Sequence, residues 1–537
     1  MECLSHNAPK FVSAILLLKL VVFKSPMPDA QISITPNRSL AFFAFLSIFM
    51  VGASYLLLLL LAIACVSLPY LLLLNIQALQ MQVILLFLGG IAVAATMLWS
   101  LLPRRDRFDP LGPLLDRSTQ PKLFREIDEI AGALNEQVPC EVYLIGQPNA
   151  FVADRGGILG FGSRRVLSIG LPLFSFLSVS ELRAVLAHEF AHFYSGDTSL
   201  VPWVHRARTV LIRGFQNMDN LQEISHIHIL RLLFTLVAVA IKKYFIVFMR
   251  VTNFVSRKQE HRSDELACLI AGKQPAIRGL EKFHGAALFW STYWAGEVVP
   301  IIDRNYIPDI GEGFHRFLAA APIAEFVNAS IAEERKSPQA SPFDTHPPLA
   351  DRIAAMEQLQ APDRQQDELQ ALSLFDQLQS AELLFVEKMN PQIPKGSLRH
   401  VDWDNVGTLI TIPFWHSEVT KFGSLLLGKK AASTPDLLKQ LPEIGSRLPD
   451  PKGRLLAPRE RTGRAAHLLG MAVSLILLQK GWTLHTQPAV LHFRRGGETL
   501  DAFGLVNDLV AGKISSEDWV RKCSQLGIGE ETLGLSL

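Results

Sequence analysis

Two histidines and a glutamate lie close together in the stretch LRAVLAHEFAHFYSGD, residues 182–197. His188 and His192 are four positions apart, so on a helix both imidazoles project from one face and can bind one metal ion. Glu189 would lie beside the water that such an ion activates, where a carboxylate can take a proton and pass it to a leaving amine. The HExxH pattern therefore predicts a zinc-dependent hydrolase site, provided that the chain supplies a third ligand.

A catalytic zinc ion needs three protein ligands and one open position. The arrangement H-x-x-G-x-x-H beginning at His192 is excluded, because Ser195 and Thr198 occupy the positions of its glycine and its last histidine. The third ligand must therefore come from farther along the chain.

The stretch SRKQEHRSDELACLIAG, residues 256–272, places Glu260 and Asp264 one helical turn apart. Glu260 would complete a set of two histidines and one carboxylate, and Asp264 would accept the other ring N–H of a ligand histidine. The alternative is a solvated helix face, because charged residues surround both carboxylates. His261 points about 100° away from Glu260 on a helix and is the weaker candidate ligand.

A helix and a small sheet are needed to position these residues. Residues 178–196 predict the helix that carries HExxH, with Ser178 or Ser180 as its N-terminal cap. The elements predicted before it are a helix over 109–135, a strand over 140–146 and a small strand pair or meander over 147–170.

A membrane hairpin precedes these elements. From Ser39 to Pro103 the chain contains no Asp, Glu, Lys, Arg or His. This uncharged stretch is long enough for two membrane crossings of about 20 residues each. We expect spans over about 41–68 and 83–102, with the turn in NIQALQMQ (75–82) or slightly before it, near Pro69. A buried soluble hairpin is the alternative, but it would need a very large surrounding core.

Basic residues flank the hairpin on both sides and predict that both flanks are cytoplasmic. They are Lys24 and Arg38 before it and Arg104, Arg105 and Arg107 after it. The catalytic segment would then face the cytosol. Three interpretations of the earlier apolar run over 10–24 stay open. It is a signal region, an interfacial helix, or an extension upstream of a true start at Met27.

A second apolar run, residues 229–251, is divided by Lys242 and Lys243. One crossing here would put Glu260 on the opposite side of the membrane from His188. We therefore expect an interfacial or packed helix, or a pair of short helices that dip into the membrane.

The fold class predicted from these patterns is mainly α with a small β-sheet, followed by a mixed α/β region. The C-terminal patterns are a Pro-rich loop over 334–348, a polar linker over 357–369, a buried helix over 464–482 and a hairpin over 489–503 turning at Gly496 and Gly497. The predicted divisions are an N-terminal cytoplasmic segment (1–38), a transmembrane hairpin (39–103), a catalytic domain (104–357) and a C-terminal domain of unknown role (358–537).

Composition narrows the class of function. Hydrophobic residues make up 49% of the chain and the mean hydropathy is +0.24, values that favour a membrane protein. The net charge of +2 and the lack of a basic block with interleaved aromatics give no case for nucleic acid. Five scattered cysteines with no C-x-x-C predict neither a disulfide framework nor a thiolate metal site.

Four separated pieces of the sequence together resemble the integral-membrane zinc metallopeptidases that include HtpX-like proteases and CaaX prenyl endopeptidases. These are NAF (149–151), ELRAVLAHEFAHFYSGD (181–197), SRKQEHRSDELA (256–267) and THPPLADRI (345–353). The resemblance implies a zincin-like domain with one Zn²⁺ held by His188, His192 and Glu260, and with Glu189 as general base and acid.

The same resemblance implies roles for the outer pieces. Asn149, Ala150 and Phe151 would form an edge strand that pairs with an extended substrate. His346 would donate to the tetrahedral oxyanion, although a histidine in this setting also caps turns, and Arg352 would lie near the substrate. Typical members carry two clearer membrane helices between the histidines and the third ligand.

The leading hypothesis is a membrane-anchored zinc endopeptidase of the cell (inner) membrane that cleaves membrane or membrane-proximal polypeptides in protein quality control. One alternative is a catalytically silent scaffold that keeps the fold, against which the retained Glu189 argues. Another is a CaaX-type processing protease, which differs only in substrate. The natural substrate and the oligomeric state are left open, and other divalent ions fit such ligands.

Overall fold

The computed structural model describes residues 38–75, 81–102, 108–156, 162–193, 201–336, 346–362, 364–426, 428–449 and 456–534. Helices dominate these ranges, and the strands form small sheets of two or three members. The predicted class, mainly α with little β-structure, is confirmed.

Two long apolar helices open the described chain, α1 (Arg38–Asn75) and α2 (Met81–Leu101). Both are long and apolar enough to cross a membrane, so the predicted hairpin is confirmed. Helix α1 runs through Pro69 instead of turning there. The rest of the predicted turn, residues 76–80, lies outside the described residues.

The two helices approach closely at Gly90. A Cβ atom placed on Gly90 would lie 1.8 Å from the carbonyl oxygen of Cys65. Only glycine leaves room for the backbones at this crossing, as is common where membrane helices pack through small residues.

The next helix is shorter than predicted. Helix α3 covers Pro121–Ala133, with Pro121 in its first turn, instead of the whole of 109–135. The residues before it contain Pro110 and Pro113, which disfavour helix for themselves and for the residues that precede them.

A three-stranded sheet follows, as predicted. Its strands are β1 (Glu141–Ile145), β2 (Ala150–Arg155) and β3 (Arg164–Gly170), in the spatial order β1-β3-β2. Strand β3 pairs in parallel with β1 and antiparallel with β2. Within the described sheet β2 is therefore an edge strand.

A short helix, α4 (Leu171–Phe176), leads into α5 (Val179–Ala191), which carries HExxH. Ser178 is the N-cap of α5: its hydroxyl accepts from the Glu181 N–H, and the Glu181 carboxylate accepts from the Ser178 N–H. This capping box fixes the start of the helix. The helix is shorter than predicted, because it ends at Ala191 and residues 194–200 lie outside the described chain.

Two long helices then form an antiparallel hairpin, α6 (Val201–Ile224) and α7 (His228–Ala271). Helix α7 is continuous, so the predicted division into two short helices at Lys242 and Lys243 is wrong, while the predicted packed helix agrees with the structure. It is also the third helix long and apolar enough to cross a membrane.

Helices α6 and α7 pack with α1 and α2 around one apolar core that includes Leu58, Met97, Leu211 and Ile241. Lys242 and Lys243 are both exposed and do not enter this core. Because α6 leads away from HExxH and α7 returns, the hairpin brings Glu260 back to the histidines. The topological objection to a long apolar helix at 229–251 is thereby removed.

The elements after α7 are, in chain order, α8 (Lys273–Ala286), helical turns from Ala287 to Ile302, β4 (Tyr306–Pro308), α9 (Ile310–Ala319), α10 (Ala321–Glu334) and α11 (Leu349–Glu357). Helix α11 contributes Leu349, Ile353 and Met356 to an apolar cluster with α5, α7 and α8. The chain divides into two compact units, Met1–Gly285 with Ser330–Gln377, and Ala286–Ala329 with Leu378–Leu537.

The polar stretch predicted as a linker is ordered against the start of α5. The Val179 N–H donates to the Leu369 carbonyl at 2.8 Å, and the Ser180 N–H donates to the Asp367 carbonyl at 3.1 Å. Its polar composition predicts a free linker, but these backbone hydrogen bonds anchor it to the helix that carries HExxH.

The second unit continues with a helical turn and a mixed α/β region. Its strands and its α-helices longer than one turn are α12 (Leu378–Met389), β5 (Arg399–Val401), α13 (Ile412–Phe422), α14 (Leu441–Arg447), α15 (Pro458–Gln479), β6 (Thr483–Gln487), β7 (Val490–Arg495), β8 (Glu498–Leu500), α16 (Ala502–Val510) and α17 (Ser516–Leu526). Helix α15 is the predicted buried helix and lies at the centre of the apolar core. The predicted β7–β8 hairpin turns at Gly496 and Gly497, which have φ values of 55° and 87°.

Candidate metal centre

Glu260 lies directly against both histidines of the HExxH helix. Its Oε2 atom is 3.4 Å from Nε2 of His188, and its Oε1 atom is 3.6 Å from Nε2 of His192. The two imidazole rings are 4.9 Å apart and nearly perpendicular. Packing of α7 on α5 therefore brings together the three residues predicted as ligands.

These three side chains fit a zinc ion. Ligand atoms about 2.0–2.2 Å from a tetrahedral zinc lie roughly 3.3–3.6 Å from one another, which is the spacing found between the Glu260 oxygens and the two Nε2 atoms. Glu260 is 3% exposed. Its buried Oε2 has no well-aligned hydrogen bond in the described chain, although Nδ1 of His346 lies 2.9 Å away.

Glu189 lies on the same side of α5. One of its carboxylate oxygens, one ring nitrogen of His188 and one ring nitrogen of His192 all lie within 4.8 Å of one another. Burial raises the pKa of the Glu189 carboxyl to about 7. A carboxyl with that pKa can both accept and release a proton near neutral pH, as a general base and acid requires.

Asp264 holds the other nitrogen of His188. Its Oδ1 atom is 3.0 Å from Nδ1 of His188, so the ring can present Nε2 to the ligand group. The guanidinium of Arg352 donates two hydrogen bonds to the same carboxylate, at 2.8 and 2.6 Å. The structure therefore shows a protein partner for Arg352, and its predicted place near the substrate stays a prediction.

Ser263 is a site residue that the sequence reasoning missed. Its Oγ atom is 3.2 Å from Nδ1 of His192, and the residue is 2% exposed. Ser263 lies three positions after Glu260, so the helical period placed it on the ligand face. This spacing could have identified Ser263 as a site residue. The residue type gave no further indication, because serine is common on helices.

The two histidines differ electrostatically. Burial opposes the charged form of His188, but hydrogen bonds to Asp264 and Glu260 outweigh it and raise the pKa of His188 to about 9. Burial and the neighbouring His188 lower the pKa of His192 to about 4.

His346 reaches the centre from the segment before α11. Its side chain is 63% exposed, and Nδ1 is 2.9 Å from Oε2 of Glu260. The ring therefore lies at the solvent-facing edge of the ligand group. The residues immediately before it, 337–345, lie outside the described chain.

The predicted substrate segment lies at the sheet edge beside α5. Ala150 and Phe151 begin β2, which packs against α5, and the Asn149 carbonyl accepts from the Gly170 N–H at 2.8 Å. Because β3 is the one partner of β2 in the described sheet, the other edge of β2 is open to an added strand.

Apolar membrane helices joined to two histidines, a carboxylate and an adjacent glutamate define the class of membrane-associated metallopeptidases. Residues 117–360 match the model of Peptidase family M48. This range is similar to M48 peptidases, and it contains every candidate site residue described above.

Two bacterial proteases are similar to this chain over part of its length. A Protease HtpX homolog of Janthinobacterium sp. (strain Marseille) is 25% identical over 260 residues, which cover 45% of this chain and 73% of the relative. Protease HtpX of Acinetobacter baylyi is 26% identical over 259 residues, covering 45% and 72%. The chain therefore resembles HtpX-type membrane metallopeptidases.

One solved structure is also similar, that of S. mikatae Ste24p. The comparison covers 60% of this chain and 66% of that chain, with 15% sequence identity and a TM-score of 0.27. A TM-score this low supports no residue-level inference.

Proposed function

We propose that the protein is a membrane-anchored, zinc-dependent endopeptidase that hydrolyses peptide bonds of membrane or membrane-proximal proteins. The observation that carries the proposal is the position of Glu260, whose two carboxylate oxygens face the Nε2 atoms of His188 and His192 at zinc-ligand spacing. A solvated helix face would instead turn Glu260 towards water.

His188, His192 and Glu260 would hold one Zn²⁺ and leave one position open. Zinc bound there would supply Lewis-acid polarisation of the scissile carbonyl. Asp264 keeps the Nδ1 proton of His188 in place, so that Nε2 faces the ligand group in neutral form. Arg352 in turn fixes the Asp264 carboxylate through two hydrogen bonds.

Glu189 would move the proton of the reaction. As water attacks the carbonyl carbon, the Glu189 carboxylate takes a proton from it, and the peptide carbonyl becomes a tetrahedral oxyanion. The same carboxyl then gives this proton to the amine nitrogen as the C–N bond breaks. His346, at the exposed edge of the site, would donate to the oxyanion.

The substrate would bind as an extended strand along β2, beginning at Asn149, Ala150 and Phe151. Main-chain hydrogen bonds would supply affinity with little sequence preference, which suits protein quality control. The arginines after α2 support a cytoplasmic site on the inner membrane.

The test is to measure bound zinc and casein cleavage for the purified full-length protein and for Glu189→Gln and Glu260→Ala. We expect Glu189→Gln to keep zinc and lose cleavage, and Glu260→Ala to lose both. A second group of potential ligands, Asp309, His400 and Asp402, lies in the other unit. His400→Ala is therefore the matched control, and it should leave cleavage unchanged.

Three results would contradict the proposal. Full zinc content and activity in Glu260→Ala would show that this carboxylate is not a ligand. Zinc bound without any cleavage by the unmodified protein would indicate a silent scaffold. Cleavage of a prenylated C-terminal peptide but not of casein would indicate a CaaX-type processing protease.

A further inference from the structure

Helix α7 contacts both candidate ligand histidines with three side chains in slightly more than one turn. Glu260 faces the Nε2 atoms, Asp264 lies at Nδ1 of His188, and Ser263 lies at Nδ1 of His192. Positions i, i+3 and i+4 share one face of a helix, so a single element reaches both rings.

A histidine that binds a metal through Nε2 carries its proton on Nδ1. That N–H needs an acceptor, because a buried donor without a partner loses the hydrogen bond it made to water. Asp264 accepts from His188. For His192 the neighbouring oxygen is Ser263 Oγ, at 3.2 Å, on a residue that is 2% exposed.

We propose that Ser263 is a positioning residue whose hydroxyl accepts a hydrogen bond from the Nδ1–H of His192 and so fixes the tautomer and ring orientation in which Nε2 binds zinc. This inference rests on the proposed zinc site. A serine hydroxyl accepts this hydrogen bond without adding a negative charge to a group that already contains Glu189, Glu260 and Asp264. The role is exerted through His192 and involves no contact with substrate.

The experiment measures the zinc dissociation constant by chelator competition on the full-length protein and on Ser263→Ala. Loss of a hydrogen bond to a ligand histidine typically weakens metal binding by about 10–100-fold, and we expect a decrease in that range. Ser263→Thr, which keeps a hydroxyl, should restore most of the affinity. Ser474→Ala is the matched control, since Ser474 is a fully buried helix serine in α15.

At saturating zinc we expect Ser263→Ala to lower kcat for casein cleavage and leave KM unchanged, because the serine does not contact substrate. An unchanged zinc dissociation constant in Ser263→Ala would overturn the inference while leaving the proposed function standing. Equal losses in Ser263→Ala and Ser263→Thr would also overturn it, since the hydroxyl would then not be responsible. Absence of zinc from the unmodified protein would overturn both proposals.

Discussion

Removing the guanidinium of Arg352 should destabilise the peptidase unit strongly. Arg352 and Asp264 are joined by two charged hydrogen bonds, and their side chains are 8% and 6% exposed. Breaking a buried ion pair by deleting one partner costs about 3–5 kcal/mol, because the other charge stays buried. Arg352→Met keeps an unbranched, flexible side chain and removes the charge.

The assay is thermal unfolding of the zinc-free protein in detergent, since bound zinc would add its own stabilisation. For a unit of 333 residues, an unfolding entropy of about 2.1 cal/mol/K per residue converts about 3–5 kcal/mol into a decrease in Tm of roughly 4–7 °C. Arg262→Met is the matched control, because Arg262 pairs with Glu265 nearer the surface, with side chains 26% and 30% exposed. Such a pair contributes about 0–1 kcal/mol.

A double variant tests the reasoning itself. Arg352→Met leaves the Asp264 carboxylate in contact with His188 but without its guanidinium partner. Adding Asp264→Asn removes the charge of that carboxylate, so the double variant should be more stable than Arg352→Met alone. The reasoning is refuted if Arg352→Met costs no more than Arg262→Met, or if the second change brings no recovery.

Two further predictions concern other parts of the molecule. Gly90→Ala should weaken the α1–α2 packing and increase proteolysis of the hairpin, because its Cβ would lie 1.8 Å from the Cys65 carbonyl; Gly52→Ala, with nothing within 4 Å, should not. Burial raises the pKa of the Glu382 carboxyl, which accepts from the Gly311 N–H, to about 8. Because this folded-state pKa exceeds the unfolded value of about 4.3, the folded protein keeps a proton that the unfolded chain loses, so stability should fall as pH rises from about 4.3 to 8. The fall in Tm should be smaller in Glu382→Gln, and an equal slope would contradict the prediction.

The predictions that agree with the structure come from local patterns. The capping residue Ser178, the strand over 140–146 and the hairpin at Gly496 and Gly497 each depend on residues a few positions apart. Helical spacing likewise put His188 and His192 on one face. Signals of this kind can be recognised within a short stretch of the sequence, without knowledge of distant residues.

The contacts that the sequence did not reveal are between distant residues. Arg352 reaches Asp264 across 88 positions, and Ser263 reaches His192 across 71. No local pattern distinguishes an arginine that binds a substrate from one that pairs with a buried aspartate. The start of α3 at Pro121 could have been predicted from the sequence, because Pro110 and Pro113 disfavour a helix before it. The prediction over 109–135 instead followed the apolar periodicity of that stretch.

The continuity of α7 changes how the site relates to the membrane. This helix has 44 residues and is therefore roughly 66 Å long. Its first half packs with α1 and α2 in the apolar bundle, and its second half supplies Glu260, Ser263 and Asp264. A rigid helix thus fixes the distance between the candidate metal site and the bundle. Lys242 and Lys243, which made the segment look interrupted, are exposed and leave that connection intact. This continuous connection between the candidate metal site and the apolar bundle is a reason for proposing membrane-proximal substrates.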